Sequence, residues 1–97
     1  MQIRDILNQI LWDPHFQRIK QEFFIQYIHR GVPGDILIIP CMILEKVRSD
    51  SFEYWNDIIK ETIRIPFHRI EKIFNQRTNE ILYKKRQSGD TPGNKSV

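Results

Sequence analysis

Proline at positions 14, 33, 40 and 66 limits what this chain can fold into more than any other feature. A proline has no backbone N–H to donate and pushes the residue before it out of the helical region, so each one ends a helix or stops a strand. Ile3, Ile6, Leu7, Ile10 and Leu11 share one helical face, with Arg4, Asp5, Asn8 and Gln9 on the other, which predicts a helix over residues 2–11. Asp13-Pro14 ends it, and Trp12 sits at the boundary. Residues 15–22 allow a helical turn on the spacing of Phe16 and Ile19.

Strand signals follow. Phe23 to His29 is rich in aromatic and β-branched residues and reads as a strand. Gly31-Val32-Pro33-Gly34-Asp35 has turn chemistry, and Ile36 to Ile39 is a short strand stopped by Pro40. Ile43 to Arg48 and Phe52 to Trp55 form the arms of a hairpin around Ser49-Asp50-Ser51, and residues 56–60 read as a loop. Thr62-Ile63-Arg64-Ile65 alternates polar and apolar, as a half-buried strand does. Pro66 interrupts, Phe67 to Asn75 resumes β-type composition, Gln76 to Asn79 is a turn, and Glu80 to Lys84 is a closing strand.

The pieces add up to an α+β domain over residues 1–86, with an N-terminal helix packed on a small, mainly antiparallel β-sheet. Closure of that sheet into a barrel-like form stays open. A chain of 97 residues has room for one core, and a 40% hydrophobic share is enough to fill it. Residues 87–97 are almost without apolar side chains and read as a disordered polar tail. No apolar run is long enough to cross a bilayer and no leader is visible, so no membrane partner is expected. The lone Cys41 excludes an internal disulfide and a cysteine-rich zinc site, and a reducing, cytoplasmic location is expected.

The formal net charge is +3. Basic and acidic side chains balance over residues 1–83, and the excess falls on residues 84–97, where Lys84, Lys85, Arg86 and Lys95 stand against Asp90. A neutral body argues against a broad nucleic-acid-coating surface and leaves room for a local anion site. Lys84-Lys85-Arg86 offers non-specific attraction to phosphate, and reads slightly better as a solubilising end to the last strand.

Two His-Arg pairs carry the most chemistry. His29-Arg30 lies where a strand enters a Gly/Pro loop, and His68-Arg69 follows the interruption at Pro66. A guanidinium fork matches phosphate oxygens, and an imidazole can donate a hydrogen bond or move a proton near neutral pH. Two pairs could bracket one phosphate. Against that, consecutive strand residues point to opposite faces, so only one side chain of each pair would reach a shared site. A half-buried histidine bonded to backbone is the commoner outcome. Asp13-Pro14-His15 lacks a third ligand for a metal, and Asp13 reads as a backbone cap. Cys41 among Ile39, Met42 and Ile43 reads as a small core residue rather than a nucleophile. Trp12, Tyr27, Tyr54, Trp55 and Phe67 could stack on bases, with core packing as their default. No cofactor or metal is expected.

The ordered landmarks resemble a family. Ile3-Arg4-Asp5-Ile6-Leu7-Asn8 with Trp12-Asp13-Pro14, then Tyr27 with His29-Arg30-Gly31 and Pro33-Gly34-Asp35, and above all Ile65-Pro66-Phe67-His68-Arg69-Ile70 before Glu80-Ile81-Leu82-Tyr83, are similar to an archaeal small-protein family of uncharacterised members. The similarity spans residues 2–86 and is to the RNA cyclic-group-end recognition domain. It implies a compact, non-catalytic RNA-binding module for processed RNA ends, such as a 2′,3′-cyclic phosphate, with RNA-processing enzymes as further partners. The motif positions it carries over are Trp12, Asp13, Tyr27, Arg30, Gly31, Pro66, His68 and Arg69; with His29 from the first His-Arg pair, the expected ligand residues are His68, Arg69, Arg30, His29, Tyr27 and Trp12. The ending Tyr83-Lys84-Lys85-Arg86 departs from the family pattern. Two rival readings stand beside it. One is a small metal-independent phosphoesterase using His29 and His68 as acid and base, and the other is a protein-interaction module with an exposed sheet edge.

Overall fold

In the computed structural model, which describes residues 2–29, 31 and 33–85, the N-terminal apolar stripe forms α1, Ile3–Trp12. Ile6, Leu7, Ile10 and Leu11 are its buried face. Asp13 leaves the helix in an extended conformation, and its carboxylate accepts the His15 N–H at 2.9 Å. It thus caps α2, Pro14–Gln17, with Pro14 in the first turn where its missing N–H costs nothing. A 3₁₀ turn, Lys20–Glu22, leads into the strands.

The strands are β1 (Phe23–Ile28), β2 (Ile36–Pro40), β3 (Leu44–Val47), β4 (Ser51–Asn56), β5 (Glu61–Pro66), β6 (Ile70–Asn75) and β7 (Ile81–Lys84). They form two antiparallel sheets, one of four strands in the order β2-β1-β6-β7 and one of three in the order β3-β4-β5. The helix and the antiparallel pairing are as expected, the single sheet is corrected to two, and the open question of a barrel is answered: neither sheet closes. The chain changes sheet twice by one device. Pro40 and Pro66 each end a strand and lead into a 3₁₀ turn, Cys41–Ile43 or Phe67–Arg69, before β3 or β6 begins. A proline cannot extend a ladder, and the turn carries the backbone out of the first sheet.

Strand alternation puts Phe23, Ile25 and Tyr27 of β1 inward, and all three are buried. They meet Phe52 and Tyr54 of β4, with Tyr27 6.2 Å from Phe52 and 6.5 Å from Tyr54 between ring centroids. Phe16 of α2 closes on Phe23 at 5.4 Å. The helix face and the inner faces of both sheets share one buried cluster. Residues 67–69, expected as β, are the second 3₁₀ turn. The expected tail, residues 87–97, lies outside the described residues, among which no helix is long and apolar enough to cross a membrane.

Candidate anion-binding cleft

The site is set by the end of the four-stranded sheet at which β1 finishes and β6 starts. These strands are antiparallel, with Tyr27 opposite Ile70. β7 returns to the same end, with Lys84 opposite Lys72, and the Lys85 N–H donates to the Glu71 carbonyl at 2.8 Å. Ile28, His68, Arg69 and Lys85 line a cleft of about 290 Å³ there. Pro66 opens the turn that holds two of them, and the Ile70 N–H closes it on the Phe67 carbonyl. The Phe67 N–H donates to Asp50 at 2.9 Å, which ties the turn to the β3–β4 connection.

His68 and Arg69 both line the cleft. The alternation that would send them to opposite faces holds only in a strand, and these residues sit in a 3₁₀ turn of about three residues. Lys85 Nζ donates to the His68 carbonyl at 2.6 Å. An ammonium has three N–H donors, so this bond anchors Lys85 and leaves others for a ligand. A guanidinium, an ammonium and an imidazole in one cleft can bind an oxyanion.

The other expected site residues are placed elsewhere. His29 follows β1, donates its N–H to the Asp35 carbonyl at 2.8 Å and sets its ring edge-on to Tyr27, 6.1 Å away. It shares the inward side of the strand with Tyr27, whereas Ile28 points into the cleft. Its Nδ1 is buried without a hydrogen-bond partner among the described residues. The residues that line the cleft with His68 do not include His29. Arg30 lies outside the described residues. Tyr27 has no exposed surface, and its hydroxyl lies 2.8 Å from that of Tyr54. Its stacking role is corrected to a core role, because alternation turns it inward. Trp12 is 70% exposed, but it ends α1, about 14 Å along the axis from Ile3, which lines a separate cleft with Phe67.

Lys85 is the residue that the sequence reading made a solubilising end to the last strand and that lines the cleft in the structure. The signal was there: Lys85 directly follows the closing strand, which ends at Lys84, so both lysines belong to the sheet end. Cys41 is fully buried, and burial pushes its thiol up to about 12, so it is protonated at neutral pH. No group of three or more His, Cys, Asp and Glu that could hold a metal occurs among the described residues.

Fold and cleft together define a small two-sheet α+β domain with a cationic end. The chain belongs to the MJ1316 RNA cyclic group end recognition domain family, whose model matches residues 1–85. UPF0248 protein MMP0286 of Methanococcus maripaludis is 36% identical over 84 residues, 87% of this chain and 99% of the relative. UPF0248 protein MJ1316 of Methanocaldococcus jannaschii is also 36% identical over 84 residues, 94% of its length. UPF0248 protein PF1300 of Pyrococcus furiosus is 28% identical over 87 residues, 92% of its length. No solved structure matches the chain.

Proposed function

We propose that this protein binds processed RNA ends, with the cyclic phosphate of a 2′,3′-cyclic terminus seated in the cleft of His68, Arg69 and Lys85. The family description supplies the ligand class, and the observation that supports the reading is that these three residues line one cleft at one sheet end. A cyclic phosphate diester carries one negative charge and two free oxygens. The Arg69 fork can bond both, Lys85 adds charge, and His68 can donate to either. His29 sets its ring against Tyr27 and does not line the cleft, so the reading is of a binding module and not of an acid–base phosphoesterase.

The test compares Arg69→Ala with the wild type on two RNA oligonucleotides that differ only in a cyclic-phosphate or a plain 3′-hydroxyl end. A lost charge-assisted bond is worth about 1.5–3 kcal/mol, so affinity for the cyclic end should fall about 10-fold to 150-fold. Affinity for the hydroxyl end should hardly change. Equal wild-type affinity for both ends sinks the proposal.

A further inference from the structure

The outward face of the four-stranded sheet is unlike an ordinary solvent face. On β1 the outward residues are Phe24, Gln26 and Ile28, by alternation with the buried Phe23, Ile25 and Tyr27. Register then fixes their neighbours. Phe24 stands between Pro40 of β2 and Phe74 of β6, and Gln26 between Ile38 and Lys72. On β7, Lys84 adjoins Lys72 and Ile81 adjoins Phe74. The two central strands thus carry a pair of phenylalanines, 6.1 Å apart and stacked at 28°. Lys72 Nζ lies 4.7 Å over the Phe74 ring, so that ring turns its face to a cation rather than to the core. Ile38 and Ile81, at opposite margins, are each 50% exposed.

Charge says what such a face would take. The ion pairs formed among the described residues are Arg48–Glu53, Lys60–Asp57, Arg64–Asp50 and Arg77–Glu22. They lie on the three-stranded sheet and at the far end of the four-stranded one. Lys72 and Lys84 of the outward face, and Arg69 and Lys85 of the cleft, are in none of them. Glu71, at the bulge in β6, is the acid of this stretch and is already engaged. Rings and cations together on an open antiparallel sheet suit a partner with flat apolar rings and a phosphate backbone.

We propose that this face is a stacking platform for the nucleotides preceding the RNA end, with Phe24 and Phe74 each taking a base and Lys72 and Lys84 their phosphates. The proposal rests on the reading of the cleft as the end site. The two are continuous, because Ile28 both lines the cleft and closes the outward row of β1. From Ile28 to Phe24 is four residues of strand, about 14 Å, the reach of a few nucleotides. Gln26 lies midway and offers an amide donor and acceptor to a base edge. Lys72, on a long flexible stem, moves from the Phe74 ring to a phosphate when a base takes its place.

The test uses calorimetric titration of the full chain with adenosine 2′,3′-cyclic phosphate and with a tetra-adenylate ending in the same group. The tetranucleotide should bind about 10-fold tighter or more, and Phe24→Leu or Phe74→Leu should each remove about 5-fold of that gain, the ratio one lost stack gives. The mononucleotide affinity should not move, and Phe74→Tyr should keep the gain. Should a leucine variant fail to fold, Lys72→Ala, outside the core, should still weaken the tetranucleotide alone and lower its salt slope by about one. Equal affinity for the two ligands overturns the platform and leaves the cleft standing. A tetra-adenylate with a plain 3′-hydroxyl that binds as tightly, with the same dependence on Phe24 and Phe74, keeps the platform and removes the cyclic-end reading. No binding of any probe removes both. A free dimer that Phe74→Leu splits, with RNA affinity unchanged, assigns the face to a second copy and overturns the proposal.

Discussion

Tyr27→Phe separates the two roles open to this ring, ligand contact and core bond. The phenol has no exposed surface, and its oxygen lies 2.8 Å from that of Tyr54, which is 5% exposed. Burial and this bond hold the Tyr27 hydroxyl well above the usual tyrosine range, so it stays protonated. Removing one hydroxyl strands the other in the core, at a cost of about 1–3 kcal/mol. Removing both leaves no buried oxygen unpaired and recovers most of that loss. In a domain of this size 1 kcal/mol moves Tm by about 4–8 °C, so either single variant should melt roughly 4–24 °C lower. The double variant Tyr27→Phe/Tyr54→Phe should melt closer to the wild type than the singles' losses sum to, a coupling of about 0.5–3 kcal/mol. Circular-dichroism melting of the four proteins measures this, with affinity for cyclic-ended RNA followed in parallel and expected unchanged for Tyr27→Phe. Additive losses would refute the paired buried hydroxyls. An unchanged Tm with weakened RNA binding would put the Tyr27 hydroxyl at the ligand after all.

Two shorter predictions concern groups away from the cleft. The Glu22 carboxyl is held below its ordinary 4.5 by hydrogen bonds from Arg77 and Asn75. A depressed folded-state value stabilises the fold above the unfolded value and is lost as pH falls through the folded one. Arg77→Ala should therefore flatten the fall of Tm with pH below about 4.5 and leave its course from pH 6 to 8 parallel to the wild type. An unaltered acid limb counts against the clip. Cys41 is buried with its thiol pushed up, so iodoacetamide should leave the native protein unmodified at neutral pH and alkylate it in denaturant, as mass spectrometry will show. Rapid native labelling would mean that the core opens at β2.

Elements with a local cause were legible in the sequence. The stripe of α1, the Asp13 cap, the hairpin around Ser49-Asp50-Ser51 and the alternation before Pro66 each depend on residues close together in the chain. The division into two sheets was not, because a proline reads as an interruption without saying that the chain changes layer. The two joints do share a pattern. Ile39-Pro40 and Ile65-Pro66 each precede a three-residue turn and then a buried Leu44 or Ile70. That pattern also decides the site. Read as strand, His68-Arg69 offers one side chain to a ligand, whereas as the second joint both residues line the cleft. Phe24 and Phe74 were illegible for a different reason. Adjacent phenylalanines at 23 and 24 do not say which faces the core, and register with β6 is needed to pair the outer one.

The charge balance is the instructive case, because its arithmetic was right and its boundary was not. Cutting the chain after residue 83 assigns Lys84 and Lys85 to a tail. In the fold Lys84 is the last residue of β7, opposite Lys72, and the Lys85 backbone continues the pairing to Glu71. Two of the excess charges therefore belong to the body. They are not spread over it, since they sit at the sheet end that already holds Arg69 and His68. At the opposite end Arg77 is paired with Glu22. A domain polarised in this way attracts phosphate to one place, where a broad basic coat would draw it everywhere. That arrangement suits the proposed binding of an RNA end, because an interior stretch of backbone would offer the cleft no terminus to close on.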